Sequence, residues 1–264
     1  MNEQSEQSIT VIGAGVIGLC CARTLQRRGY GVTVIDPLDP GMGTSYGNAG
    51  ILATGSVLPE GKPGLWKRVP GMLLDPLGPL TIRPSYLAKL TPWMLRFIAN
   101  TTAKRSEEIS QALASIVLPG LEHYRALLDD VASDEVPIRQ QGCLYLYPSA
   151  ANLAAARDDI ETRRQRGVAL EMLSPDEVRQ LVPAIGPDMA GGALATQSGH
   201  ATSPLALSQL LAAQIESAGG TFVRAEVSGF TIGADGPSHV RTDQGEIAIE
   251  DVVIAAGAFS KPLA

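Results

Sequence analysis

The sequence predicts an α/β protein, because a buried strand, a glycine-rich turn and an amphipathic helix follow one another near its start. Residues 9–12 (ITVI) are short, apolar and largely β-branched, as a strand of a buried parallel sheet should be. The next six residues read GAGVIG, and a second buried strand, residues 32–35 (VTVI), ends in Asp36. Between them lies a predicted helix whose sheet-facing stripe is Ile17, Cys20, Cys21, Thr24 and Leu25.

The six-residue turn has the form G-x-G-x-x-G, in which each glycine has a mechanical role. Gly13 permits a tight turn, Gly15 lets the backbone approach a pyrophosphate, and Gly18 lets the helix pack close to the strand. The N-terminus of the helix then offers free N–H groups and a positive dipole end to phosphates. The sequence therefore predicts a dinucleotide site rather than an ordinary glycine turn, with cofactor-binding residues Gly13, Ala14, Gly15, Val16, Ile17 and Gly18.

Asp36 follows Gly18 by 18 residues and precedes Pro37. A carboxylate at this spacing can accept hydrogen bonds from ribose hydroxyls, and it would repel a 2′-phosphate. Asp36 and Pro37 are therefore candidate cofactor-binding residues, and NADP is disfavoured. The first motif leaves NAD and FAD open.

Composition excludes several classes of protein. The 264 residues are 45% hydrophobic and 18% charged, which is typical of a globular chain with a substantial core. The net charge, 21 − 27 = −6, argues against non-specific nucleic-acid binding. The three cysteines are predicted to be reduced thiols of the core. The acidic, polar start has no signal-peptide pattern and the apolar run 11–22 is too short to span a bilayer, so we expect a cytoplasmic location.

A second cluster of small residues, TSYGNAGI, occupies positions 44–51. Gly47, Ala49 and Gly50 leave the backbone bare beside the polar side chains of Ser45 and Asn48. This pattern suits close contact with a flat polar ring or with phosphate, and a solvated loop is the alternative.

The pair of motifs, GAGVIG with Asp36 and then TSYGNAGI, resembles the D-amino-acid dehydrogenase branch of the FAD-dependent amine and amino-acid oxidoreductases. That group includes relatives of D-amino-acid oxidase, sarcosine oxidase and glycine oxidase. The resemblance implies that FAD is the cofactor and that the second motif runs along the ribityl chain and isoalloxazine, through Ser45, Asn48, Ala49, Gly50 and Ile51. Since no histidine lies between Gly41 and Ile51, it also implies that FAD is bound non-covalently.

Two later segments extend the resemblance. A helix over 205–217, with Ser203 as N-cap and Pro204 at its first position, precedes strands at 221–223 and 226–227. In the family the backbone of a valine meets the adenine there, which implies this role for Val227. Residues 251–260 form another buried strand with small residues after it, and the resemblance places Ala256 and Gly257 near the pyrophosphate.

These segments imply a Rossmann-type FAD-binding domain formed by 1–56 and 196–264, with an inserted and incomplete α+β substrate domain at 57–195. Within the insert, a helical stretch over 105–131 is predicted to be kinked or divided at Pro119, and its apolar face comprises Leu113, Ile116, Val117, Leu121 and Tyr124. Strands are expected at 136–138 and 143–147, and a hairpin at 238–249. A helix over 152–166 is expected to carry an Asp159–Arg163 ion pair.

Residues 60–100 differ in composition from the rest of the chain. Six basic residues stand against two acids, a local charge of 6 − 2 = +4, among the apolar side chains Trp66, Leu73, Leu74, Leu77, Leu80, Trp93, Leu95 and Phe97. One interpretation is peripheral contact with a membrane, where the family's dehydrogenases pass electrons to the respiratory chain. The other, which we favour, is a set of outer helices whose Lys and Arg stems cover apolar surface.

The activity implied by the resemblance is oxidative deamination of D-amino acids or related amines, by hydride transfer to flavin N5. The chemistry resides in the cofactor, so the sequence nominates no catalytic residue and no metal site, and His123, His200 and His239 are scattered. The alternatives are an NAD-linked dehydrogenase and a non-catalytic FAD-binding fragment or subunit. Because the family's sequences continue past the third motif, we expect a truncated chain, or one completed by a second subunit, with low activity alone.

Overall fold

The computed structural model describes residues 7–75, 80–234 and 236–264, and the side chain of Arg68 and all of Leu77 lie outside the described residues. The chain forms two compact units: residues 1–51, 122–139 and 200–264 make the first, and 52–121 and 140–199 the second.

The described strands are β1 (Ser8–Ile12), β2 (Gly31–Asp36), β3 (Ile51–Leu52), β4 (Ile138–Arg139), β5 (Cys143–Tyr147), β6 (Leu170–Leu173), β7 (Gly191–Ala195), β8 (Gly199–Ala201), β9 (Thr221–Arg224), β10 (Val227–Gly233), β11 (Gly236–Thr242), β12 (Gly245–Ala248) and β13 (Asp251–Ile254). The α-helices are α1 (Val16–Gln26), α2 (Leu65–Leu74), α3 (Leu87–Ala99), α4 (Ala103–Val117), α5 (Gly120–Leu127), α6 (Ala150–Ala155), α7 (Arg157–Gln165), α8 (Pro175–Leu181), α9 (Pro204–Ser217) and α10 (Ser260–Leu263). Short 3₁₀ turns cover Pro84–Tyr86 and Gly257–Phe259.

The first unit is built on a four-stranded parallel sheet of order β13-β1-β2-β9. Val11 and Val34, in the two central strands, are fully buried, and α1 and α9 add Leu19, Leu211 and Ile215 to the same core. The helix α9 begins as predicted, because the Ser203 side chain accepts a hydrogen bond from the Ala206 N–H and Pro204 is the first helical residue. The buried strands and the Rossmann-type order of the sequence prediction are confirmed.

The face that α1 presents to the sheet differs from the predicted stripe by one position. Its buried residues are Gly18, Leu19, Ala22 and Arg23, whereas Ile17 is 66% exposed. The cause is the close contact between Gly18 and the carbonyl of Gly13. This contact fixes the rotation of the helix, so that Leu19 and Ala22 face the core. The apolar repeat correctly predicted the helix, and Cys20 and Leu25 of the predicted stripe are partly buried against the core, but the fully buried residues lie one position away.

A second, antiparallel sheet of the first unit has the order β10-β11-β12. The last two strands form the predicted hairpin, with Thr242 opposite Gly245. Val240 is fully buried and packs in a cluster with Ile12 and Ile35. A further small sheet has the order β3-β8-β4.

The second unit contains an antiparallel sheet of order β5-β7-β6. Its core consists of Val57, Ala114, Val168 and Ala195. The sequence predicted β5 but not β6 or β7. Strand β7 (GGALA) begins with two glycines, a residue type depleted in strands, and has no alternating pattern. The long helix is divided between α4 and α5 beside Pro119 as predicted, but Ile116 is 71% exposed and Ala114 faces the core instead.

The predicted ion pair within 152–166 is not formed, and the predicted helix is two helices, α6 and α7. Asp159 instead pairs with Lys62. Arg163 donates through Nε to the carbonyl of Gly55, 3.3 Å away, and its guanidinium carbon lies 4.8 Å from the centre of the Tyr145 ring. Tertiary partners have therefore replaced the local pair, which is worth only about 0.3–0.5 kcal/mol on a helix surface.

The unit bounds differ from the expected domain bounds in three places. Residues 122–139, expected in the substrate domain, group with the first unit, whereas residues 52–56 and 196–199, expected in the FAD-binding domain, group with the second. The division into an FAD-binding and a substrate domain stays a prediction, because the units are defined by contacts and not by function. No helix in the described ranges is long and apolar enough to cross a membrane.

Two arginines one turn apart, Arg23 in α1 and Arg27 directly after it, bind residues 126–130 within the first unit. Arg23 Nη2 donates to Asp130 Oδ2. Arg27 donates to the carbonyl of Ala126 through Nη1 and to Asp129 Oδ1 through Nη2, at 2.7 Å for the latter. Only the Arg23 side chain is buried, at 7% exposure against 36% for Arg27. We infer that the buried arginine depends on its carboxylate for compensation of its charge.

Replacing Asp130 with Asn should lower the free energy of unfolding by about 1–2 kcal/mol, because the buried Arg23 loses its charged partner. Asp129→Asn is the control and should change it by less than about 0.5 kcal/mol, since the Arg27 pair is exposed. Burial pushes the pKa of Asp130 upward, but the hydrogen bond and charge of Arg23 outweigh this, and the pKa lies below its ordinary value.

The stabilisation by Asp130 is therefore present above the pKa of an unfolded aspartate, about 3.9, and is lost as the pH falls through the lowered pKa of the folded state. Urea unfolding at pH 7 and at a series of pH values down to 3 measures both effects. The gap between wild type and Asp130→Asn should close at low pH. Equal losses in the two variants would contradict the assignment.

Candidate functional site

The predicted nucleotide turn lies between β1 and α1, as the sequence required. Gly13 has a left-handed φ of +112°, and a Cβ placed on it would lie 2.5 Å from the carbonyl oxygen of Ala255. A Cβ on Gly18 would lie 1.8 Å from the carbonyl oxygen of Gly13. At both Gly13 and Gly18 the backbone of the turn therefore contacts another backbone segment. Any residue with a Cβ at either position would displace that segment.

The start of α1 presents open backbone. Gly15 is the N-cap residue and makes no side-chain capping bond, and a Cβ on it would meet only Ser45 Oγ, at 3.3 Å. The N–H groups of Ile17 and Gly18 lie in the first helical turn, beyond reach of any carbonyl of the helix. Ile17 also projects its side chain outward, at 66% exposure. The geometry suits an anion at this end of α1.

Ser45 has a role at this helix end that sequence reasoning missed. Its Oγ accepts a hydrogen bond from the N–H of Val16 at 2.8 Å, and the residue is 9% exposed. Ser45 therefore supplies the cap that Gly15 cannot, from 29 positions along the chain. Nothing in the local pattern links Ser45 to the glycine turn, and only the fold brings the two segments together.

Asp36 closes the other side of the turn. Its Oδ2 accepts a hydrogen bond from the N–H of Ala14 at 2.8 Å, and its Oδ1 accepts one from the N–H of Leu38, also at 2.8 Å. Each carboxylate oxygen has a second lone pair, so both can still accept from a ligand hydroxyl. Pro37 follows at once, and its carbonyl accepts a hydrogen bond from Arg224 Nε at 3.2 Å. The acid lies beside the glycine turn, as its spacing predicted.

The second motif forms a loop that is held by its own polar side chain. Asn48 Oδ1 accepts from the N–H of Gly50 at 2.8 Å, and Nδ2 donates to the carbonyl of Ser45 at 2.9 Å. Gly50 has a φ of +67°, and a Cβ on it would lie 2.4 Å from the carbonyl oxygen of Ala201. Ala49 is exposed, and Ile51 is 55% exposed. Contact of these residues with flavin stays a prediction.

The third motif lies against the first. β13 pairs with β1 in parallel, and the N–H of Ala255 donates to the carbonyl of Ile12 at 2.8 Å. The Cα of Ala256 is 3.2 Å from the Cβ position of Gly13, while Gly257 is exposed with open space around it. Val227 begins β10, half-buried, and packs with Ala256 against the cluster of Ile12 and Ile35.

All the predicted cofactor-binding residues therefore belong to the first unit. Those at 13–18, 36–37 and 256–257 lie at the carboxyl ends of β1, β2 and β13, which meet at one edge because the strands are parallel. This edge, with the N-terminus of α1 at its centre, can hold an extended dinucleotide with its pyrophosphate over the helix.

The three histidines lie in three separate elements, and His200 is in β8, in register with Arg139 of β4. His123 is exposed on α5, and His239 lies in β11 with Nδ1 3.1 Å from Ser238 Oγ. In the described ranges no three His, Cys, Asp or Glu side chains are grouped to hold a metal ion. The cysteines are free thiols, and burial raises the pKa of Cys20 to about 11, which disfavours the thiolate.

The chain is similar to proteins of one family throughout its length. The family described as FAD dependent oxidoreductase (DAO) matches residues 8–264. The D-amino-acid oxidase of Bradyrhizobium diazoefficiens is 37% identical over 260 residues, covering 97% of this chain and 61% of that protein. The D-amino acid dehydrogenase of Sinorhizobium medicae is 31% identical over 263 residues, covering 96% of this chain and 61% of that protein. The chain thus spans about three fifths of the length of these relatives.

The fold is shared with solved structures. The glycine oxidase of Bacillus cereus superposes with a TM-score of 0.65 at 18% identity, covering 98% of this chain and 57% of that one. The predictions of an α/β FAD-binding fold and of FAD as cofactor are confirmed, and the NAD-linked alternative is set aside, because the family is FAD-dependent. The chain belongs to the DAO family of FAD-dependent oxidoreductases.

Proposed function

We propose that this chain provides the FAD-binding part of an enzyme that oxidatively deaminates D-amino acids or related amines. The observation that carries the proposal is the turn at 13–18, where open backbone at the start of α1 lies beside the carboxylate of Asp36. The relatives named D-amino-acid oxidase and D-amino acid dehydrogenase support the reaction class.

The residues present fit FAD. The space above Gly15, which a side chain would fill, suits a pyrophosphate, and the free N–H groups of the first turn of α1 can donate to it. The remaining lone pairs of Asp36 can accept from the ribose hydroxyls. The loop 45–51 offers mainly backbone, since each polar group of Asn48 already makes one hydrogen bond within the loop. We propose that FAD is held non-covalently by these contacts.

When bound, FAD supplies the hydride acceptor for oxidation of the substrate's amine-bearing carbon. The chain's own residues bind and orient the cofactor: α1 counters the charge of the pyrophosphate, Asp36 fixes the ribose, and Ser45 keeps the first turn of the helix in place. We assign no acid–base residue, because the substrate can bind with its amine already unprotonated. Tyr145 is assigned to packing, since Arg163 covers its ring.

The visible absorption spectrum of freshly purified protein, before and after anaerobic addition of mixed D-amino acids, tests the proposal. A flavin band that bleaches slowly is the expected result, because we expect low activity from this chain alone. The matched L-amino acids are the control and should leave the band unchanged. A stable flavin band would favour the alternative of a non-catalytic FAD-binding subunit, and the absence of a flavin would contradict the cofactor site.

Gly18→Ala should abolish or greatly weaken FAD binding, because its methyl group would displace the Gly13 carbonyl and with it the glycine turn. Gly43→Ala is the matched control: Gly43 lies in the neighbouring loop with nothing within 4 Å of its Cβ position, so binding should change less than about twofold. Flavin content per folded chain, with folding checked by circular dichroism, measures the effect. Normal flavin content in Gly18→Ala would contradict the site.

We also propose that α2 and α3 form a surface for peripheral contact with the cytoplasmic face of a membrane, where a respiratory-chain acceptor would take the electrons. The most exposed apolar side chains of this surface are Trp66 (58%), Leu74 (83%), Trp93 (58%) and Leu95 (64%). Basic residues lie between them, and Lys67 Nζ is 5.5 Å from the Trp66 ring centre. Exposed aromatic and aliphatic groups with interspersed cations suit an anionic lipid surface.

Vesicles of phosphatidylglycerol and phosphatidylcholine test this surface by co-sedimentation. The chain should bind the mixed vesicles and not pure phosphatidylcholine, and Leu74→Glu should weaken binding at least about tenfold. Ile116→Glu is the control, because Ile116 is 71% exposed on α4, outside this surface. Equal binding by both variants, or none by wild type, would mean that α2 and α3 are ordinary outer helices.

A further inference from the structure

Arg224 lies at the carboxyl edge of the parallel sheet, beside Asp36. It is the last residue of β9 and is paired in register with Asp36, the last residue of β2. Paired residues of neighbouring strands lie about 4.8 Å apart, so the Arg224 side chain starts next to the carboxylate proposed to bind ribose. Ala225, which follows, is 2% exposed and donates its N–H to the carbonyl of Asp36 at 3.2 Å, which fixes this junction.

Two nitrogens of the Arg224 guanidinium form hydrogen bonds, although the side chain is largely exposed to solvent. Nε donates to the carbonyl of Pro37, and Nη1 lies 3.2 Å from Asp39 Oδ1. The side chain is nevertheless 69% exposed and that of Asp39 is 71% exposed. Among the described residues no partner is recorded for Nη2. The result is a flat, oriented cation whose faces are open.

An exposed ion pair of this kind contributes little to stability, because solvent screens it and both side chains lose rotamer freedom. Structural stabilisation is therefore a weak reason for fixing Arg224. A fixed planar guanidinium is well suited to stack on an aromatic ring, where its charge meets the negative face of the π system.

Neighbouring side chains hold the backbone around Arg224 in place. Gln244 Nε2 donates to the carbonyl of Arg224 at 2.6 Å, and Asp243 Oδ1 accepts from the N–H of Glu226 at 2.9 Å. The hairpin β11–β12 thus holds the backbone beyond β9 in place, next to the guanidinium. β9 is the next strand after β2 in the sheet, so a dinucleotide with its pyrophosphate over α1 and its ribose at Asp36 would extend toward Arg224.

We propose that Arg224 binds the adenine ring of FAD by stacking its guanidinium on the purine, and so determines preference for FAD over flavins that lack adenosine. This inference rests on the proposed function of the first unit as the FAD site. Pro37 and Asp39 are the positioning groups, since they orient the guanidinium.

Equilibrium dialysis of the purified chain, freed of flavin, tests the assignment with FAD and FMN as probes and with ADP as a competitor. Arg224→Ala should weaken FAD binding about fivefold to tenfold, and the dissociation constant of ADP derived from the competition should rise by a similar factor. FMN binding should not change, because FMN has no adenine. Arg224→Lys should not restore FAD binding, since an ammonium keeps the charge but has no plane to stack.

Arg28→Ala is the control for charge: it removes a cation from an exposed position after α1 in the same unit and should leave all three ligands unaffected. Unchanged FAD binding in Arg224→Ala would overturn the assignment. Equal weakening of FAD and FMN would overturn it in favour of a role in holding the loop 37–41, and full rescue by lysine would overturn it in favour of simple charge. Wild-type protein that binds no flavin would instead refute the proposed function itself.

Discussion

The close approach of α1 to the end of β1 is the constraint on which the rest of the first unit depends. Gly18 and the carbonyl of Gly13 are too close for any side chain, and this contact fixes both where the helix starts and which face it turns to the sheet. Leu19 and Ala22 then enter the core, and Arg23 is carried to a buried position. The same contact directs the N-terminus of α1 toward the edge where β1, β2 and β13 end.

Polar contacts from distant segments complete the start of α1, because the contact between Gly18 and Gly13 provides no helix cap. The helix has no side-chain cap of its own, so Ser45 provides one, and Asp36 ties the end of β2 to the N–H of Ala14. The side chains that surround the candidate cofactor site are therefore largely engaged with backbone. What remains available to a ligand is mostly backbone N–H, together with spare lone pairs on Asp36 and the exposed guanidinium of Arg224. Such a site binds a cofactor by shape and by dipoles, with few charged side chains.

In the second unit, side chains on one helix bind distant segments and do not pair with each other. Arg163 and Asp159 are one helical turn apart, yet Arg163 covers Tyr145 and Asp159 pairs with Lys62. A ring and a backbone carbonyl offer a guanidinium more contact than a neighbouring carboxylate on an exposed helix face. The helices α2 and α3 contrast with this core, since their large apolar side chains remain exposed.

The sequence by itself determined the strand–turn–helix–strand order and the fold class, because both rest on short-range rules for glycine, β-branched residues and helix caps. The resemblance of its motifs to one family implied FAD as the cofactor. Only the tertiary structure decided the rotation of α1, the capping role of Ser45, the glycine-rich strand β7 and the partners of Asp159 and Arg224. Apart from the rotation of α1, which the contact of Gly18 with the Gly13 carbonyl sets, these features depend on contacts between segments tens to hundreds of residues apart, and no local pattern records which distant backbone will approach a given side chain.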